Sequence, residues 1–323
     1  MKMNKPGSSS CWILIIMLGI IQSCSTSKKL MPVAIDTDCP AVMDYITSDF
    51  LPVDELLADT FLTSSYSLQS IIVANAYGLI DDIRDLKTLG NIEDTLSLKD
   101  AIRLAMLEKV IEIDKTMNLA KLEIQTLQTY LYCNNLKLIR AKSDLEQLNN
   151  KTRSAYTNSA IGIGIVSSVL VATAVISDGE LNSGSFKDWV GIVGAVVATG
   201  LAIKSERVNK KIGLSHSHNA IAAIWNGKND QGIFTDNVWY LLNEPYLIDS
   251  SELSIRDSII ETWNTSKSML QDEDHLKYMP IILGDKAEYT EEMIQLRMDM
   301  LEEIKHSIVE VSRLLSLLTY EKD

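Results

Sequence analysis

The sequence predicts an all-α fold, an elongated helical bundle or coiled coil that carries a central apolar helical hairpin. Apolar residues spaced alternately three and four apart continue for about six heptads without Pro or Gly, which is the pattern of a coiled-coil seam. This segment leads into an uncharged stretch, Ala155 to Ser177, and a second uncharged stretch follows from Trp189 to Ile203. No segment shows a convincing strand pattern.

The N-terminus has the composition of an export signal. Lys2 and Lys5 precede the apolar run CWILIIMLGII, which is short for a membrane span. The following Ile21-Gln22-Ser23-Cys24 resembles the lipobox of bacterial lipoproteins. The resemblance implies that residues 1–23 are a signal peptide and that Cys24 receives diacylglycerol and an acyl chain as the mature N-terminus. An uncleaved anchor helix is the alternative.

The lipoprotein resemblance also implies a place in the cell envelope. In enterobacterial lipoproteins an Asp directly after the lipidated cysteine opposes sorting to the outer membrane. Here Ser25 follows Cys24, so the resemblance implies a lipid anchor in the outer membrane. The next residues, TSKK, lack an acidic run that would resemble a surface-export tag, and the anchor is therefore expected to face the periplasm. Loss of residues 1–23 takes the net charge from -13 to -15, which argues against nucleic acid as a partner.

The segment from Cys24 to Pro52 contains three prolines and no sustained period, a pattern that predicts a lipidated N-terminus and tether (24–52). Cys39 lies in this tether, and whether it pairs with Cys133 stays open in a compartment that permits disulfides. From Val53 the pattern is helical, with a break expected at Gly90.

The strongest periodic signal follows an expected helix cap in SLKD, residues 97–100. Twelve of its thirteen seam positions are apolar, and Asn134 is the kind of polar insertion that fixes register. An unbroken helix from Leu98 to Ser177 would be on the order of 120 Å long. The seam residues are Met106, Val110, Ile113, Met117, Ala120, Ile124, Leu127, Leu131, Asn134, Leu138, Ala141, Leu145 and Leu148.

The remaining helices are predicted on both sides of the hairpin. Residues 53–157 form a helical body with the long helix, 158–204 the hairpin, and 205–323 a return segment with C-terminal helices. Two of those C-terminal helices are expected over Ser250–Leu270 and Thr290–Tyr320. In the last one, apolar residues again step three and four apart, at Leu301, Ile304, Ile308, Val311, Leu315 and Leu318.

The hairpin combines apolar residues with small residues that recur every four positions. Such spacing lets two helix backbones approach closely, and it makes the hairpin a candidate contact for a membrane or for partner subunits, with burial inside the chain as a third possibility. The small residues are Gly162, Gly164, Ser168, Ala172, Gly191, Gly194, Ala198 and Ala202. Basic residues are predicted around the base of the hairpin. They would suit contact with anionic lipid headgroups, or they are simply a solvated face of the helices. These residues are Lys151, Arg153, Lys204, Arg207, Lys210 and Lys211.

Two further resemblances concern the helices. LSLKDAIRLAM, residues 96–106, resembles the opening of the helical repeat in TolC-type outer-membrane efflux proteins, although this chain lacks the second repeat and the barrel strands of that family. The layout of an apolar hairpin between long helices is similar to cytolysin A-type α-helical pore-forming toxins. This second resemblance implies that the hairpin inserts into a membrane.

No motif of an enzyme, cofactor site or metal site is recognisable. His216 and His218 form an isolated H-x-H pair, which is more typical of a polar turn than of a metal site. Trp225, Trp239 and Tyr240 are either a platform for a glycan or partner, or residues that pack a loop. We therefore expect a non-enzymatic outer-membrane lipoprotein that acts as a helical scaffold or assembly component, with protein partners or a homo-oligomer through the coiled coil. The alternative is a pore-forming or membrane-perturbing protein.

Overall fold

The computed structural model describes most of the chain after the predicted signal peptide. The chain divides into two units, Met1–Met31 and Pro32–Asp323, and every described residue lies in the second. The described residues are 33–34, 39–93 except 41, 44, 47 and 48, then 99–177, 197–205, 209–247, 253–266, 269–270 and 273–322. Within 163–177 only the backbone is described.

The fold class predicted from the sequence is confirmed, since helices dominate the described residues. The helices are α1 (Val53–Ala58), α2 (Thr60–Ser65), α3 (Leu68–Ala76), α4 (Ile80–Glu93), α5 (Lys99–Ser177), α6 (197–205), α7 (Ala220–Asn226), α8 (Asp236–Asn243), α9 (Ile255–Thr265), α10 (Glu273–Leu276), α11 (Met279–Ile282) and α12 (Glu291–Lys322). Three short strands, β1 (Val33–Ala34), β2 (Ile212–Ser215) and β3 (Lys286–Tyr289), are present although no strand was predicted.

The 79-residue helix α5 is the axis of this unit, and its continuity was predicted. At 1.5 Å per residue its length is about 120 Å. The seam of α5 is buried at all ten predicted positions from Ile113 to Leu145, Asn134 included, and half-buried at Met106, Val110 and Leu148. Burial of that one face explains why the apolar residues recur at helical spacing.

The seam of α5 is covered by helices of the same chain. Lys142 Nζ donates to Gln295 Oε1 at 2.9 Å, and Asn135 Nδ2 donates to Glu302 Oε2 at 3.4 Å. The residue with the higher number on α5 contacts the residue with the lower number on α12, so the two helices are antiparallel. All six predicted seam positions of α12 are buried. A second chain is therefore not needed to cover this stretch of the seam.

The N-terminal helices differ from the prediction in where they break. The break expected at Gly90 falls three residues later, because α4 continues through Gly90, where a Cβ would meet nothing within 4 Å, and ends at Glu93. Breaks occur earlier, where Asp59 accepts from the backbone N–H groups at the start of α2 and Ser67 caps α3. Such side-chain caps satisfy N–H groups that a helix cannot pair internally.

The predicted tether is bound to the body from Val33 onward. β1 pairs parallel with β2, and β2 pairs antiparallel with β3. Further along, Asn75 forms two hydrogen bonds with the backbone of Leu51, accepting at 3.0 Å from its N–H and donating at 2.9 Å to its carbonyl oxygen. Asn237 Nδ2 donates to the carbonyl oxygen of Ile46 at 2.8 Å. The described part of the predicted tether is therefore held against the body.

Cys39 and Cys133 form a disulfide, with their Cα atoms 5.7 Å apart. The bond joins the N-terminal segment to the middle of α5 and closes a loop with a sequence separation of 94. This settles the pairing that the sequence left open. A disulfide is stable in oxidising compartments such as the periplasm and is rare in the cytosol.

Candidate functional site

Helix α5 continues far beyond the helix that covers it. α12 begins at Glu291. The contact between Gln295 and Lys142 places this start beside the part of α5 that closely follows Lys142. From Asn149 to Ser177 α5 is therefore no longer covered by α12, and this part is about 40 Å long. α6 returns beside it. We call Asn149–Ser177 together with α6 the arm.

Hydrogen bonds join the two limbs of the arm at its base. The hydroxyls of Thr157 and Ser205 are 2.9 Å apart, and Ser205 Oγ donates to the carbonyl oxygen of Arg153 at 3.0 Å. Asn149 Oδ1 accepts from the backbone N–H of Lys210 at 3.1 Å. Both Asn149 and Ser205 are buried. These contacts make the limbs antiparallel at the base, which is the arrangement of a helical hairpin.

The small residues of the hairpin fall partly within the described residues. Gly162 and Ala202 are exposed and Ala198 is half-buried. Gly164, Ser168 and Ala172 lie in the backbone of α5, where side chains are not described, and Gly191 and Gly194 lie outside the described residues. Close packing along the whole small-residue face therefore stays a prediction.

Two isoleucines of the arm have exposed side chains. Ile161 is 55% exposed on the α5 limb, and Ile203 is 46% exposed on the α6 limb. The sequence continues from Ile161 to Ser177 without a charged residue. Near its base the arm thus presents two apolar side chains that the described part of the chain leaves exposed.

A band of basic side chains surrounds the arm where it leaves the body. We call this band the basic collar: Lys151, Arg153, Lys204, Lys210 and Lys211. Lys210 is half-buried and the other four are exposed. The sequence has no acidic residue from Gln147 to Ser177 and one, Glu206, between Lys204 and Lys210, outside the described residues. Basic residues therefore outnumber acidic ones at the collar, on a chain with a net charge of -13. Arg207, predicted to belong to it, lies outside the described residues.

A groove of about 400 Å³ opens between the limbs at the level of the collar. Its lining combines the ammonium groups of Lys204 and Lys210 with polar and apolar neighbours, namely Thr152, Tyr156, Asn209, Gly200 and Ile203. Lys204 Nζ lies 5.1 Å from the centre of the Tyr156 ring, a cation–π contact that orients the ammonium at the groove. Ammonium, amide and hydroxyl groups together suit an anion with several oxygen acceptors.

The two histidines of the H-x-H pair lie in different surroundings. His216 is buried, its Nε2 is 3.1 Å from the Tyr289 hydroxyl, and its ring packs edge-on against Tyr289. Burial, with the positive charge of Arg297 nearby, lowers the pKa of His216 to about 2. His218 is exposed. Within the described ranges no three His, Cys, Asp or Glu residues come together as metal ligands would.

Buried Arg297 organises the loop next to His216. Its guanidinium donates at 2.7 Å to the carbonyl oxygen of Ile282 and at 3.1 Å to Asn219 Oδ1. Asn219 Nδ2 donates to the same carbonyl oxygen at 2.8 Å. These groups satisfy the carbonyl oxygen of Ile282, the last residue of α11.

The three aromatic residues predicted as a platform each pack against another ring of the chain. Trp225 stacks on Trp263 with ring centres 6.3 Å apart. Trp239 lies 5.5 Å from Phe234, and Tyr240 stacks on Phe50 at 4.4 Å. All three are half-buried. This arrangement favours the packing interpretation over a glycan platform.

Sequence reasoning missed several buried polar residues that position the elements. Glu123 is fully buried on α5 and accepts a hydrogen bond from the Thr235 hydroxyl, which also caps α8. Burial, together with the charge of Glu123, raises the pKa of Tyr77 well above its ordinary value. In the sequence these residues resemble ordinary exposed positions of a helix, so no local pattern distinguishes them.

Comparisons of the chain with protein-family models, curated proteins and solved structures found no match. Among the helices as described, none is both long enough and apolar enough to cross a membrane.

Proposed function

We propose that this chain is a non-enzymatic, lipid-anchored protein of the cell envelope, a helical scaffold or assembly component that makes its contacts through the arm. The observation that carries the proposal is the arm itself. Its α5 limb leaves the body for about 40 Å, α6 returns beside the base of that limb, and Ile161 and Ile203 are exposed above a basic collar. Exposed apolar side chains on such a projection suit a contact surface.

The disulfide supports a place outside the cytosol. Cys39 follows the proposed lipidated Cys24 by fifteen residues and is bonded to Cys133. Exported proteins acquire such bonds in the periplasm. The lipobox-like residues and the disulfide are independent features, and both favour the same compartment.

The surroundings of His216, Tyr289 and Arg297, the buried polar residues most able to take part in catalysis, support a non-enzymatic role. His216 is hydrogen-bonded to Tyr289, and Tyr289 and Arg297 donate to the backbone carbonyl oxygens of Ile281 and Ile282 at the end of α11. A buried His with a pKa of about 2 is a poor general base near neutral pH.

We place the contact surface on the arm rather than on the seam of α5. A homo-oligomer formed through the coiled-coil seam would have to displace α12 from Ile113 to Leu145. The arm needs no such displacement, because Ile161 and Ile203 are already exposed.

A pore-forming or membrane-perturbing role is the second candidate, favoured by the same exposed isoleucines. It predicts that the purified protein releases the contents of lipid vesicles. A scaffold binds without release, so a dye-release assay separates the two roles.

The anchor is tested by the mature N-terminus. We expect mass spectrometry of protein purified from bacterial membranes to find an acylated Cys24 as the first residue, and radiolabelled palmitate to be incorporated. Cys24→Ala should abolish the label, whereas Ser27→Ala, three residues further on, should retain it. An unmodified Cys24 within a longer N-terminal peptide would overturn the lipid anchor.

A further inference from the structure

The direction of β2 relative to the arm is fixed by two hydrogen bonds to α5. At its start, the backbone N–H of Lys210 donates to Asn149, at the base of the arm. After its end, the carbonyl oxygen of His218 accepts from the Tyr130 hydroxyl at 3.0 Å. Tyr130 lies about 28 Å further from the arm along α5 than Asn149 does. β2 therefore runs away from the arm.

The N-terminal segment runs in the same direction. β1 is parallel to β2, with Val33 opposite Leu214 and Ala34 opposite Ser215. Beyond β1, Cys39 is bonded to Cys133, close to the level of Tyr130. Because the chain moves away from the arm as it passes from Val33 to Cys39, it enters β1 from the side of the arm.

We propose that the anchor and the arm engage the same bilayer, and that the basic collar with its groove binds the phosphate of anionic lipid headgroups. The inference rests on the lipidation of Cys24 in the proposed function and deepens it, because it names the surface that the arm contacts. Cys24 precedes Val33 by nine residues, a length that spans at most about 30 Å. An anchor on so short a link keeps the arm side of the body close to the lipid surface.

Charge selects a lipid surface over a protein as the occupant. The collar contributes five cations on a chain whose net charge is -13, so these positive groups are concentrated at one place. Anionic headgroups attract basic side chains next to a membrane-contacting segment. The order along the arm is basic at the body and apolar beyond it, with Ile161 and Ile203 exposed just past the collar. That order matches headgroups followed by acyl chains.

The groove gives the phosphate a defined site. Lys204 and Lys210 supply charge, and the Asn209 side-chain amide is a neutral group on the same lining. The Thr152 hydroxyl donates to the carbonyl oxygen of Leu148 at 2.8 Å, so it contributes an oxygen to the lining and not a donor. A free phosphate has the same chemistry, but it would gain nothing from the exposed isoleucines. We therefore assign the groove to lipid phosphate.

The contact is tested with the full-length, anchored protein in vesicles made of equal parts phosphatidylglycerol and phosphatidylcholine. Single cysteines replace Gly162 or Gly200 on the arm, and Gly90 on α4 as the control. A Cβ at each of these positions meets nothing within 4 Å. Each cysteine carries an environment-sensitive fluorophore. The arm labels should shift to shorter wavelength and be quenched by a quencher attached to lipid acyl chains, and the Gly90 label should do neither.

The headgroup contact is tested by charge. Lys204→Gln with Lys210→Gln should reduce quenching of the Gly200 label to the level measured in pure phosphatidylcholine vesicles. The matched control, Lys228→Gln with Lys286→Gln, removes the same charge elsewhere and should leave quenching unchanged. Inorganic phosphate at constant ionic strength should also leave it unchanged, and loss of quenching with phosphate would overturn the assignment to lipid.

Failure of this inference can be told apart from failure of the anchor. If the protein floats with the vesicles while the arm labels stay unquenched, the anchor stands and the arm contact is wrong. If the arm labels respond in a protein whose Cys24 is not acylated, the arm contact stands but the shared-bilayer inference fails along with the anchor. Quenching of the Gly90 label to the same extent as the arm labels would contradict the orientation.

Discussion

Replacing both Cys39 and Cys133 by alanine should lower the free energy of unfolding by about 4 kcal/mol. The bond closes a loop with a sequence separation of 94, and loss of its constraint on the unfolded chain corresponds to about 4–5 kcal/mol in the loop-entropy model. The native segment should stay in place, because Asn75 and Asn237 still hold the backbone of Leu51 and Ile46. The loss therefore acts mainly through the unfolded state.

Urea denaturation of the wild type and the double variant, followed by circular dichroism, measures this difference. Dithiothreitol should lower the midpoint of the wild type to that of the variant and should leave the variant unchanged. A thiol assay on unfolded wild type purified from bacterial membranes, with Cys24 acylated, should find no free thiol. A stability difference below about 1 kcal/mol, or two free thiols in the wild type, would refute the reasoning.

Three further predictions address the core. Ile124→Pro removes a backbone donor inside α5 and should cost about 3 kcal/mol or more, seen as lost ellipticity at 222 nm, whereas Ile124→Val should keep the helix. The lowered pKa of buried His216 means that the unfolded state binds a proton that the folded state does not between about pH 2 and 6.5. Stability should therefore fall as pH falls below about 6.5, by up to about 1.4 kcal/mol per pH unit, and His216→Gln should flatten that dependence. Asn75→Ala should cost about 2–3 kcal/mol and speed hydrogen exchange around Leu51, and unchanged exchange there would contradict the clamp.

The long helices could be predicted because their signal is local. The apolar positions of α5 and α12 recur at the spacing of one helix face, and that face is the one the structure buries. Asn134 also fitted this pattern and is buried in the seam. The spacing could not identify the helix that covers this face. It is equally consistent with a second chain and with α12, which lies in the same chain.

The sheet and the docking of the N-terminal segment depend on distant contacts. β1 pairs with residues about 180 positions away, and its two residues carry too little pattern to predict a strand. The bond between Asn237 and Ile46 joins residues separated by 191 positions. A proline-rich stretch with no period predicted a tether, and contacts made elsewhere in the chain hold it against the body.

Gly90 illustrates how packing overrides propensity. A single glycine within a helix costs only about 1 kcal/mol relative to alanine. α4 packs against α5 and is held there by an ion pair, with Lys109 Nζ at 2.7 Å from Asp82 Oδ1. The breaks at Asp59 and Ser67 instead follow from side-chain caps, a signal that was present in the sequence but was not used.

The residues of the candidate site could be predicted from the sequence, but the position of the arm relative to the N-terminal segment could not. The basic residues and the two uncharged stretches are visible in the sequence, and the structure brings Lys204 and Lys210 together at one groove. The side from which the chain enters β1 could not be inferred, because it depends on a parallel pairing with β2. That pairing carries the argument that anchor and arm share a membrane.

Photocrosslinking tests directly what the exposed side chains of the arm touch in the cell. A benzophenone amino acid in place of Ile203, which is 46% exposed on the arm, should yield adducts with the mass of phospholipid when cells are irradiated. The same residue in place of Leu104, 58% exposed near the start of α5, should yield none. A discrete protein adduct at Ile203 without a lipid adduct would contradict the membrane contact and would assign the arm to a protein partner.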